Sequence, residues 1–177
     1  LPDFNGEYPV VAMADEMLVE GEGQLKGFMS VAGNPVLSTP NGEKLDAALS
    51  ELEFMVSLDY FVTETSRHAH IILPPVSPLE RDHYDVTFNG FAVHNVAKYS
   101  PALFSKKDNE KHDWEIYLAL ADRLDNDAPE ATQKERAATK AFGPKFLLEQ
   151  GLKYGPYKEV TLDTLIDNPH GMDLGPL

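Results

Sequence analysis

The stretch Gly27–Leu49, GFMSVAGNPVLSTPNGEKLDAAL, decides how this chain is read. Its opening residues are apolar, as in a short strand buried on both faces. A polar turn follows, Gly33-Asn34-Pro35, and then Ser38 and Thr39. Asn41 stands where a helix cap belongs, and Lys44, Leu45, Ala48, Leu49 and Leu52 recur at helical spacing. Glycine permits close backbone approach or positive φ. Asparagine tolerates unusual φ and offers an amide, and proline fixes the exit. Such a turn either just joins a strand to a helix or presents free N–H groups and hydroxyls to a phosphate or a base edge. It is neither a GxGxxG fingerprint nor a P-loop.

Working outward, VVAMADEMLVEGEGQ (residues 10–24) reads as a short helix stopped at Gly21 and Gly23. EFMVSLD (53–59) reads as a second buried strand. TETSRHA (63–69) is a helical turn that Thr63 can cap. HIILPP (70–75) is a third strand, stopped by Pro74 and Pro75. Strand, helix, strand, turn, strand is the alternation of a parallel sheet with helices on its faces. Ligands of such sheets bind at the carboxyl ends of the strands. The polar clusters at 33–39, 59–65 and 74–80 each follow a strand and so are expected on one edge.

Beyond Pro78 the pattern changes. Residues 79–104 carry aromatic and β-branched residues without helical period and read as loop plus one or two extended segments. KHDWEIYLALADRL (111–124) is an amphipathic helix in which Trp114, Ile116, Tyr117, Leu120 and Leu124 share a face. Residues 128–142 give a more exposed helix. A short helix over 143–157 ends at Gly155-Pro156, and another short helix precedes a tail rich in Pro and Gly. The expected division is an α/β region at 1–125 and a helical extension and linker at 126–177.

The chain has 177 residues and a net charge of −14, from 29 Asp and Glu against 15 Lys and Arg. An acidic surface repels phosphate backbones, so nucleic acid is not an expected partner. The absence of Cys removes disulfides, thiolate metal sites and a Cys nucleophile from this chain. Its apolar runs are too short to span a bilayer. It opens without an initiator Met or a leader and is read as a piece of a longer chain. The location expected for that chain is cytoplasmic, with periplasmic as the alternative.

Three further groups carry chemistry. Asp59, just past the second strand, can accept from a ribose hydroxyl or a guanine N1–H/N2–H edge, or can serve as a turn residue. His68 and His70 share a face if extended and either bind a metal or hydrogen-bond at a strand entry. No third ligand is spaced for a metal, and none is assigned. Glu80, Arg81, Asp82 and His83 offer acid–base chemistry or internal ion pairs of a solvated loop; the second reading is preferred.

In order, GFMSVAGNPVLSTPNGEKLDAAL, EFMVSLDYFVTETSRHAHIILPPVSPLERD and HDWEIYLALADRL resemble the molybdopterin oxidoreductase superfamily. This is the dimethyl sulfoxide reductase family, with formate dehydrogenases and nitrate reductases among its members. The likeness runs from about Gln24 to Leu124. It implies a Rossmann-like three-layer sandwich with a mainly parallel sheet, plus C-terminal helices. It also implies a bis-molybdopterin guanine dinucleotide cofactor carrying molybdenum or tungsten. In that family the GxNP loop and the Asp after the next strand bind the guanosine end of one pterin dinucleotide. Carried over, the cofactor-binding residues are Gly33, Asn34, Pro35, Ser38, Leu58, Asp59, Thr63 and Thr65.

The resemblance places the metal-ligating residue, and any iron–sulfur cluster, outside this chain, so no catalytic residue is assigned. The partners implied are other domains of the same polypeptide; the redox partner is open. Alone, the chain is expected to be inactive. Two departures stand out: Ala69-His70 replaces the family's Ala-Asp, and LERDHYD and FAVHN replace its Glu-Gly-Thr and Gly-Arg-x-Gln. The alternative reading is a free-standing α/β nucleotide-binding module, or an acidic interaction module, without enzyme activity.

Overall fold

A computed structural model describes residues 3–176. The chain forms two compact units, residues 1–75 and 76–177. The boundary expected at 125/126 falls inside the second unit, just past a helix that ends at Leu124.

In the first unit, helix α1 (Met13–Leu18) precedes strand β1 (Gly27–Val31). The short helix α2 (Pro35–Ser38) and helix α3 (Gly42–Ser50) lead to strand β2 (Phe54–Leu58), and strand β3 (Ile71–Ile72) closes the unit. The three strands form one parallel sheet in the order β1-β2-β3. The register pairs Gly27 with Phe54, Val31 with Leu58 and Val56 with Ile71. Alternation therefore puts Phe28, Ser30, Met55 and Ser57 on one face.

That face is the buried one. Met55, Leu45, Ala48, Leu49, Leu52, Ala14 and Met17 form the core, with Phe28 and Val36 packed against it. The expected α3 stripe is thus the buried one, apart from Lys44, whose ammonium pairs with Asp15. Each full burial of a Leu or Met contributes about 1.5–3 kcal/mol. Two hydroxyls lie inside this layer, and they satisfy each other: Ser30 Oγ donates to Ser57 Oγ at 2.9 Å. Asn41 occupies the cap position of α3 with φ 59°, and its side chain makes no cap hydrogen bond, contrary to expectation. Its contribution is tolerance of the left-handed turn rather than capping.

The opposite face is open. Met29, Val31, Phe54 and Ile71 are exposed, the last two at 48% and 47%. Among the described residues, helices cover one side of the sheet, so the third layer of the expected sandwich is not built by this unit.

The second unit carries two small antiparallel pairs. Strand β4 (His83–Tyr84) pairs with β6 (Tyr99–Ser100), and β5 (Val96–Ala97) pairs with β7 (Met172–Asp173). The tail expected as a linker is therefore hydrogen-bonded into this unit. Helices α4 (Asp113–Leu124), α5 (Glu130–Tyr154) and α6 (Leu162–Asp167) complete it. Its core joins Ala97, Tyr99, Val160, Leu162 and Leu165 to Leu148, Leu152 and Tyr157. The two helices expected over 128–157 meet end to end at a break, Gly143 (φ 72°, ψ 179°), where Pro144 supplies no N–H. The α4 stripe is only half-buried, and Leu124 is 83% exposed. Among the described residues no helix is long and apolar enough to cross a membrane.

Candidate functional site

The carboxyl edge of β1 and β2 gathers the first two polar clusters. The third, at 74–80, runs across the boundary between the units. Backbone pairing continues one residue past β1: the Ala32 N–H donates to the Leu58 carbonyl at 2.9 Å. Ala32 holds φ 47°, a conformation unusual for a residue with a Cβ. It swings the chain away from the sheet, so Gly33 itself needs no positive φ. A Cβ at Gly33 would meet only ordinary contacts, 3.6 Å from the Val31 carbonyl oxygen. The steric demand lies instead at Gly42, whose Cβ would stand 2.1 Å from the Val36 carbonyl oxygen.

The Asn34 side chain ties this loop to the one after β2. Its amide donates to Glu64 Oε2 at 2.7 Å, and its oxygen accepts from Thr65 Oγ1 at 2.7 Å. Thr65 Oγ1 also accepts from the Val36 N–H at 3.1 Å. Thr65 is fully buried. Ser38 Oγ donates to the Asn34 carbonyl at 3.1 Å, and Pro35 begins α2. Of the sequence-expected set, Asn34, Ser38 and Thr65 are thus engaged within the protein. The Asn34 amide holds the exposed Glu64 carboxyl below the usual carboxylate range.

The loop after β2 is closed by its own side chains. Thr63 Oγ1 accepts from the Ser66 N–H at 3.1 Å, and Ser66 Oγ accepts from the Thr63 N–H at 2.7 Å. The expected Thr63 cap is therefore present. Ser66, 1% exposed, also donates to the Phe61 carbonyl. Asp59 is buried; its Oδ1 accepts from the Phe61 N–H at 3.1 Å. Its other oxygen has no partner among the described residues, and neither do the N–H groups of Gly33 and Asn34. Leu58, the last residue of β2, is buried.

Glu64 and Ser66 were missed by the sequence reading. Both lie in the quoted Thr-Glu-Thr-Ser run, and a charged residue flanked by two hydroxyls was the available signal. The histidines have other partners. His68 Nε2 stands 2.6 Å from Asp46 Oδ1, and Arg67 reaches the same carboxylate at 2.6 and 2.7 Å. His68 first and Arg67 second hold Asp46 below the usual carboxylate range. His70 Nδ1 accepts from the Met55 N–H at 3.0 Å. Among the described residues no group of three His, Asp or Glu side chains is placed to hold a metal.

In the second unit, the charged run after Pro78 forms ion pairs, but with α4 and α5 rather than within the loop as expected. Glu80 Oε2 accepts from the Ser77 N–H at 3.0 Å, Arg81 pairs with Asp113 at 2.6 Å, and Asp82 with Lys145 at 2.9 Å. Burial opposes the Asp82 charge, but Lys145, Tyr99 and the Ala102 N–H outweigh it and hold the carboxyl low. Tyr99 is 2% exposed. Burial first, then the Asp82 carboxylate beside it, push its hydroxyl up to about 12.

Comparison with known proteins places this geometry in context. Residues 6–123 match the model of the molybdopterin oxidoreductase family. The assimilatory nitrate reductase catalytic subunit of Bacillus subtilis is 33% identical over 104 residues, 58% of this chain and 14% of that protein. A probable oxidoreductase of the same organism is 24% identical over 169 residues, 92% of this chain and 22% of that protein. The F420-dependent formate dehydrogenase 1 subunit alpha of Methanococcus maripaludis is 29% identical over 109 residues, 62% of this chain and 15% of that protein. The chain thus spans between a seventh and a little over a fifth of these relatives.

Proposed function

Because the chain belongs to the molybdopterin oxidoreductase family, we propose that its first unit binds the guanosine end of a molybdopterin guanine dinucleotide within a longer oxidoreductase. One observation carries this reading. Unpartnered N–H groups at Gly33 and Asn34 share the sheet edge with the partnerless second oxygen of Asp59. The donor set fits the group. A guanine edge donates through N1–H and N2–H and needs a carboxylate acceptor; ribose and phosphate oxygens accept and need N–H donors.

Asp59 takes the guanine or ribose donors, and the Gly33 and Asn34 backbone serves the oxygens. Pro35 fixes the loop's exit, and Leu58 forms its apolar floor. Ser38, Thr63 and Thr65 position the two loops rather than touch the nucleotide, each through the hydrogen bonds given above. When bound, the cofactor would supply redox chemistry at molybdenum or tungsten. The chain's part is to fix that tail, because remote binding energy orients a reactive centre. Other domains of the same polypeptide complete the pocket and cover the open apolar face of the sheet as its third layer, since parallel sheets are buried on both sides.

The test is made on the full natural protein, produced in a host able to supply the cofactor. Bound metal together with GMP released by acid hydrolysis, both lost in Asp59→Ala, supports the reading. A folded protein with neither metal nor GMP makes the free-standing module the better account.

A further inference from the structure

The turn after β2 carries an aromatic ring at the sheet edge. Phe61 is 69% exposed, yet its backbone is held on both sides. Its N–H donates to Asp59 Oδ1 at 3.1 Å, and its carbonyl accepts from Ser66 Oγ at 2.9 Å. Asp59 and Ser66 are both buried. The Tyr60 ring stands against it, 5.7 Å between centroids and 89° from parallel. A single exposed phenyl is ordinary on a protein surface. Here the backbone beneath it is fixed before any ligand arrives, so only the side-chain rotamer is left to order on binding.

A nucleobase makes two different demands on a protein. Its edge needs hydrogen-bond partners, and its apolar face needs a flat surface. The second oxygen of Asp59, which has no partner among the described residues, suits the donors of a guanine edge. No residue assigned above meets the face. Phe61 is two residues from Asp59 and bonded to its other oxygen, so an edge acceptor and an aromatic ring belong to one turn. Ribose and phosphate have no such face, so the ring selects for the base. Stacking accepts any base, and the carboxylate adds the preference for one with paired donors.

We propose that Phe61 is the stacking platform for the nucleobase whose edge Asp59 accepts. The inference rests on the guanosine reading above and adds to it the residue that grips the base. Asp59 then has two tasks: one oxygen fixes the turn that carries the ring, and the other takes the base.

The test uses the full natural protein, loaded with cofactor and then dialysed. Samples are taken over time, and the GMP still bound is counted after acid hydrolysis. Phe61→Leu keeps apolar bulk and removes the planar face, whereas Phe61→Trp keeps a face. Release from Phe61→Leu should be about tenfold faster than from the parent, and a variant purified without GMP counts as fast release. Release from Phe61→Trp should be no faster than from the parent. Near-ultraviolet circular dichroism confirms that both variants are folded. Parent-like release from Phe61→Leu overturns the inference, since apolar bulk then suffices. Equally fast release from both variants overturns it too, since a fit of fixed shape then matters rather than a face. In both cases the parent keeps its GMP and the guanosine reading stands. A parent without GMP removes that reading and this one with it.

Discussion

The fully buried Thr65 hydroxyl donates to the Asn34 side-chain oxygen at 2.7 Å and accepts from the Val36 N–H, so one side chain locks the two loops of the candidate site together. Thr65→Val keeps the shape and removes both bonds. It leaves a part-buried N–H and an amide oxygen without partners, which costs about 1–3 kcal/mol. Urea denaturation should show that loss. The same variant should retain less GMP, because its loops are no longer held in register.

Two glycines make opposite predictions. Gly33→Ala should leave stability within about 0.5 kcal/mol of the parent, since a Cβ there meets only ordinary contacts. It should nonetheless lower GMP retention, because in the proposed site the methyl would stand where the nucleotide's oxygens approach. Gly42→Ala drives a Cβ to 2.1 Å from the Val36 carbonyl oxygen and should destabilise by several kcal/mol, read as a lowered denaturation midpoint. If Gly33→Ala binds normally, the backbone of that turn does not contact the nucleotide.

Alkaline pH should weaken the second unit through Tyr99. Its folded pKa, about 12, lies above the ordinary phenol value of about 10. The unfolded chain therefore loses its proton first. Stability from this group is complete below about pH 10 and is lost as pH rises toward about 12. Denaturation midpoints measured across that window should fall less steeply in Tyr99→Phe than in the parent.

The open sheet face gives a comparison between two lengths of chain. Val31 is 47% exposed here, so Val31→Lys should change the stability of the 177-residue chain by less than about 0.5 kcal/mol. In the full natural protein the same change should cost more than about 2 kcal/mol, because the lysine would then be buried under the third layer. Equal, small effects in both would mean that the face stays in water.

The first unit was legible because local signals agreed. Short apolar runs, Pro74-Pro75 and the 3.6-residue spacing of Leu45, Leu49 and Leu52 all pointed to the same strands and helix. The site was legible as a place rather than as a network. Nothing local says that Asn34 meets Glu64 and Thr65, which lie about thirty residues away. Asn41 takes the cap position, but its side chain does not cap, because the residue types that cap also tolerate positive φ. The second unit was harder, since two-residue strands such as β4 and β7 carry no period. The pairing of β7 with β5 has no local cause at all.

That last pairing has a consequence during synthesis. The first unit has all three strands once Ile72 has left the ribosome, and its core is then complete. In the second unit, Val96–Ala97 waits for Met172–Asp173, about 75 residues later, before it finds its partner. At about 5–20 residues per second this is a delay of roughly 4–15 s. During it, the β5 edge and the apolar residues around Tyr99 stand exposed to other chains. A chaperone or a slow translation pause serving this protein would therefore act on the second unit and leave the first to fold unaided.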